Sequence, residues 1–182
     1  WFTDTASTAV NKIQAGNLDV KLMYSTDMQT WKEATDQTKL FDDHALWEPG
    51  YTQVVYLKIV NAGNLALKYE AGFSKNYTSN RGKNVNGDWY RVDNYLKIGT
   101  AETATKFANR EDVWSAIAAT EKTLAKDVML TDGWITLKAG EASEPFAVAI
   151  YMPTSVGNEA NASRLRPSSV SGLGIEVRAT QA

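Results

Sequence analysis

His44 is the one histidine in this 182-residue chain, and there is no cysteine. Those two counts close most of the chemistry a catalytic site could use. A zinc centre built on several imidazoles is impossible, the HExxH signature is absent, and thiolate nucleophiles and disulfides are excluded. A Ser-His-Asp arrangement would have to recruit His44 as its base, and no Gly-x-Ser-x-Gly elbow accompanies it. His44 follows Phe41-Asp42-Asp43 and reads as a surface or turn histidine. Asp42, Asp43 and Glu48 carry the hard oxygen ligands that Ca²⁺ prefers, yet no Asp-x-Asp-x-Asp-Gly loop sets their geometry, so calcium ligation and a solvated acidic turn both stay open. Gly172-Leu173-Gly174 and Asn61-Ala62-Gly63-Asn64 lie beside strands rather than at a strand-to-helix junction, which makes them turns rather than phosphate loops. No catalytic residue, cofactor or bound metal is expected. The aromatics Trp89, Tyr90, Tyr95 and Trp134 could stack on sugar rings if exposed in a row, or fill a core if they alternate inward. Asn76-Tyr77-Thr78 and Asn161-Ala162-Ser163 match the short glycosylation sequon.

The elements that must position these residues are mostly strands. With 43% hydrophobic residues, six Trp and eight Tyr, the chain is long enough for one well-cored domain spanning 1–182. Nineteen Lys and Arg against 21 Asp and Glu give a net charge of −2 without a basic block, so nucleic acid is not an expected partner. No apolar run approaches the roughly 20 residues of a membrane-spanning helix. No basic, then apolar leader precedes Trp1, and the expectation is a secreted chain whose signal has been removed.

Period-two alternation is clear at Leu18, Val20 and Leu22 and again at Ile175, Val177 and Ala179. Thr52 to Val60 is apolar on both faces, as a central strand would be, and with the 61–64 turn and Leu65 to Glu70 it reads as a hairpin. Further strands are expected over Asp88 to Ile98, Trp134 to Lys138 and Phe146 to Met152. Asn109 can cap a helix, Glu111 and Asp112 suit its first turn, and Val113, Trp114, Ile117 and Leu124 recur near helical spacing, which predicts a helix from Arg110 to Lys126. The polar stretch 76–87 reads as a mobile loop. The fold class is therefore all-β, an antiparallel jelly-roll-like β-sandwich with one short helical insertion.

The N-terminus is the remaining candidate. Phe2, Ala6 and Val10 share one side of an extended segment, with Asp4 and Thr8 between them, while Trp1 lies on the opposite face. Asn11, Lys12, Gln14 and Gly16 read as a polar, flexible joint. Such a segment could pair within its own subunit or with another.

Four landmarks occur in order: Phe2-Thr3-Asp4 followed by Ala15-Gly16-Asn17-Leu18-Asp19-Val20, then Leu46-Trp47-Glu48-Pro49-Gly50, then Asn61-Ala62-Gly63-Asn64-Leu65-Ala66 between strands, and a closing Ile175-Glu176-Val177-Arg178-Ala179-Thr180-Gln181. This ordered set resembles the TasA/camelysin family of secreted bacterial proteins that build biofilm matrix fibres. The resemblance departs from the family pattern at Trp47 and Tyr51 and finds no match between Tyr77 and Thr131, so that 74–131 is read as a variable loop and helix insertion. It implies a jelly-roll sandwich released by a dedicated signal peptidase to the extracellular matrix or cell surface. It further implies a structural subunit that polymerises head-to-tail by donating its N-terminal strand, residues 1–12 with Trp1, Phe2, Asp4, Ala6, Thr8 and Val10, to an identical subunit, with accessory matrix proteins as possible partners. The protease activity suggested by the camelysin name finds no metal ligands here. A cell-surface carbohydrate-binding or adhesive module is the alternative.

Overall fold

The structure, a computed structural model, describes residues 10–182. In chain order the strands are β1 (Lys12–Gln14), β2 (Val20–Ser25), β3 (Lys32–Glu33), β4 (Thr52–Asn61), β5 (Leu67–Phe73), β6 (Thr78–Asn80), β7 (Gly82–Lys83), β8 (Trp89–Tyr90) and β9 (Lys97–Glu102). Helix α1 (Arg110–Ile117) follows, then β10 (Lys122–Thr123), β11 (Ile135–Leu137), β12 (Phe146–Tyr151), β13 (Ser169–Ser171) and β14 (Ile175–Gln181). The molecule is an all-β sandwich. A four-stranded sheet in the order β1-β14-β5-β11 packs on a six-stranded sheet in the order β10-β9-β12-β4-β2-β3. Among the described residues all strand pairings are antiparallel except β1 with β14, which run parallel.

The alternation of the sequence places the core between the sheets. Leu22, Val55, Leu57 and Ile59 of the larger sheet meet Leu67, Tyr69, Phe73, Ile175 and Val177 of the smaller in one cluster. Burial of each such side chain contributes about 1.5–3 kcal/mol. The larger sheet is covered on its outer face too. Val113 and Ile117 of α1 pack on Ala149 and Tyr151, and Trp114 stacks on Tyr151 at 5.4 Å while its indole Nε1 donates to Thr52 Oγ1 at 3.0 Å. This second layer explains why β4 reads as apolar on both faces.

Four expectations are corrected. The hairpin across 61–64 does not form: β4 pairs with β2 and β12, while β5 belongs to the opposite sheet beside β14 and β11. Asn61 makes the crossing. Its buried Nδ2 lies 2.8 Å from the Leu65 carbonyl and 3.2 and 3.1 Å from those of Leu137 and Lys138, and its Oδ1 accepts from Gly63 N. A turn signal fixes where the chain reverses but leaves open which sheet receives the next strand.

The helix begins where expected, with Asn109 Oδ1 accepting from Asp112 N at 2.9 Å, but it ends at Ile117. Thr120 Oγ1 donates to Thr100 O and accepts from Thr100 N, which draws the chain onto the edge of β9 and forms β10 there. The segment 74–131 is accordingly more than a loop and helix insertion, since β9 within it pairs with β12 in the larger sheet.

The 76–87 stretch is likewise paired rather than a free loop. β6 joins β13, β7 joins β8, and Ser168 Oγ donates to Asn80 O while accepting from Val92 N.

Candidate functional site

Asn11, Lys12 and Gln14, read from sequence as part of a flexible polar joint with Gly16, lie in a clamp instead. Asn11 is fully buried. Its Nδ2 donates to Thr35 O at 2.9 Å and Thr38 O at 2.8 Å, and its Oδ1 accepts from Ile175 N at 2.9 Å. One side chain therefore ties the incoming chain to the 35–38 turn and to the start of β14. The backbone N–H groups of Val10 and Asn11 both reach Asp36 O, and β1 then aligns Lys12, Ile13 and Gln14 with Glu176, Val177 and Arg178. Gly174 has no Cβ, and one built there would meet the Val10 carbonyl, so the close approach of the two backbones requires glycine at this position.

This geometry narrows the donor-strand expectation. Val10 is buried within its own chain, and Lys12 belongs to β1, so neither is available to a neighbouring subunit. Trp1, Phe2, Asp4, Ala6 and Thr8 lie outside the described residues. The described chain thus begins at a buried Val10 whose N–H is bonded to Asp36 O.

On the far side of the smaller sheet, β11 is an edge strand only three residues long. Beside it a cleft of about 420 Å³ opens between the sheets, walled by Tyr69, Leu130, Ile135, Leu137 and Phe146 and edged by Glu102 and Glu144. Ile135 stands partly exposed at its mouth. Among the described residues β11 has no strand on its outer side, and an edge beside an apolar cleft is the kind of surface at which an extended segment can add.

The other sequence candidates fall apart as sites. Asp42 Oδ1 accepts from His44 N at 2.8 Å in a local turn, and His44 is exposed. Asp43 accepts from Gly172 N at 2.9 Å through one oxygen and pairs with Lys39 at 2.7 Å through the other. Glu48 makes no contact with either, and no cluster of metal-ligating side chains occurs among the described residues. The acidic turn is a structural brace for Gly172, a role its composition gave no sign of. Trp89 and Trp134 are exposed, but Trp89 lies in β8 and Trp134 just before β11 of a different sheet, and Tyr90 beside Trp89 is buried, so they form no stacking platform.

Two tyrosines face carboxylates. Burial, then Glu121, which accepts the Tyr151 hydroxyl at 2.6 Å, pushes the Tyr151 phenol up to about 12. Burial and the neighbouring Asp93 do the same for Tyr77. Both phenols stay protonated at neutral pH and serve as fixed donors rather than acid–base groups.

No protein-family model matches this chain, and no curated protein matches it significantly. Among solved structures, the PapD-like domain 7 of human CEP192 is 12% identical, with 76% of this chain and 77% of that chain covered at a TM-score of 0.27. A family 123 glycoside hydrolase from Clostridium perfringens, described as acting on glycolipid glycans, is 13% identical, with 72% of this chain but 22% of that chain covered and a TM-score of 0.27.

Proposed function

We propose that the protein is a secreted structural subunit of an extracellular matrix fibre, without enzymatic activity, which polymerises head-to-tail when its N-terminal segment adds to the sheet of the next copy. The observation that carries this reading is the clamp at Asn11. It ties Asn11 to the 35–38 turn and to the start of β14, so that the point at which residues 1–9 join the domain is set by the fold. The receiving surface in this reading is the edge of β11 with its cleft, where Phe2 would join Ile135, Leu137 and Phe146. Because donor and acceptor are different surfaces of one molecule, the contact does not close on itself and propagates as a filament.

The test is electron microscopy and size-exclusion chromatography of the full chain beside a chain lacking residues 1–9. Filaments from the full chain alone are expected, and the shortened chain should remain a folded monomer because Asn11 and β1 are retained. Filaments from both, or monomers from both, would overturn the reading.

A further inference from the structure

Lys83 lies opposite Trp89 in the β7–β8 ribbon, and its backbone also closes a loop from far along the chain. Its N–H donates to Arg166 O at 2.8 Å, and its carbonyl accepts from Ser163 N at 2.9 Å. Residues 163–166 are thereby pinned at both ends and bulge outward, leaving Leu165 92% exposed between Arg164 and Arg166. Val85 N donates to Asn161 O at 2.8 Å and continues the same seam. Val85 and Trp89 are themselves 48% and 47% exposed.

Three cations gather on Trp89. The Arg81 guanidinium lies 4.3 Å from the ring centroid, Lys83 Nζ 4.9 Å and the Arg166 guanidinium 5.8 Å. None of them takes part in the ion pairs found among the described residues, which are Lys39–Asp43, Arg110–Glu111 and Arg178–Glu70. A chain of net charge −2 therefore carries at one tip a group of unpaired cations, drawn from segments some 80 positions apart, around apolar side chains held out into solvent.

A soluble polyanion would engage the cations and the indole ring but gain nothing from Leu165. A lipid interface uses every part: cations at the level of the phosphates, Trp among the headgroups, and an aliphatic side chain in the acyl boundary. We propose that this tip docks on a membrane surface of anionic phospholipids, with Leu165 as the inserted side chain and Arg81, Lys83 and Arg166 facing lipid phosphates. The docking is peripheral and uses none of the N-terminal segment or the β11 cleft, so it stands or falls apart from the fibre reading.

The experiment is flotation of the full chain with vesicles of equal parts phosphatidylcholine and phosphatidylglycerol, beside vesicles of phosphatidylcholine alone and beside soluble polygalacturonate. The wild-type chain should float with the anionic vesicles only. Leu165→Asp should weaken that partition about tenfold, and Arg81→Ala or Arg166→Ala about fivefold each. Lys106→Glu, at an exposed cation elsewhere, should leave it unchanged. Leu165 makes so little contact with the fold that its variant should keep the parental Tm, which is measured in parallel. Absence of flotation, flotation unaffected by Leu165→Asp, or polygalacturonate binding that survives Leu165→Asp without vesicle binding would each overturn the proposal.

Discussion

The clamp at Asn11 and the tip at Leu165 break the usual rule of burial in opposite directions. At the clamp a fully polar side chain is sealed inside, and at the tip an apolar one is held outside. They also differ in what holds them. The clamp depends on one side chain that satisfies three main-chain groups, whereas the tip is closed by backbone hydrogen bonds between Lys83, Ser163 and Arg166. Side chains committed to the fold fix where a segment begins. A loop closed through its backbone leaves its side chains free for a partner.

The comparison predicts its largest effect at Asn11. Asn11→Ala strands Thr35 O, Thr38 O and Ile175 N in a closed site and should cost about 3 kcal/mol, read as a lowered urea midpoint and a Tm lower by about 10 °C. Asn11→Asp keeps the acceptor for Ile175 N but turns a carboxylate toward two carbonyls, and should cost at least as much at neutral pH. A small effect from either would mean that β1 is held by its ladder to β14 rather than by Asn11.

A smaller effect is expected at Gly82, on which the tip is seated. A Cβ there would run into the backbone of Arg166, Pro167 and Ser168. Gly82→Ala should push the 163–168 loop off β7 and cost about 2 kcal/mol in thermal or chemical denaturation. If it is silent, the loop is not held against β7 as described.

Much of the framework was legible in the sequence, for reasons that also explain what was not. Ile175, Val177 and Ala179 alternate because one face of β14 meets the core, and the continuous apolar run of β4 reports a strand covered on both sides. Local chemistry also fixed the start of α1 through Asn109. Pairings between distant segments leave no such trace. The polar letters of 76–87 look the same whether solvated or laced to 161–171, and Asn11 reads as a linker residue because composition does not separate an exposed amide from a buried, satisfied one. The cationic tip was invisible for the same reason: Arg81, Lys83 and Arg166 form no block along the chain, and only β7 and the 163–166 loop bring them to one ring.

The turn at Asp27 separates burial from side-chain bonding as the source of the clamp's strength. Asp27, like Asn11, makes several side-chain bonds, but all within one short segment: its carboxylate accepts from Thr30 N, Gln29 N and the Ser25 hydroxyl, and Met28 between them adopts φ of 63°. The backbone donors, with Thr30 foremost, hold its pKa down from 3.8 to about 2. A depressed carboxylate contributes stability that is present above its ordinary pKa and lost as pH falls through the folded one. Yet the group is open to water, so its bonds replace good hydrogen bonds to solvent and are worth less than those of Asn11. Asp27→Asn should therefore lower Tm slightly at neutral pH, and the two proteins should converge as pH falls from about 4 to about 2. A loss at Asp27 as large as that at Asn11 would show that the number of bonds, and not their seclusion from water, sets the strength of a clamp in this fold.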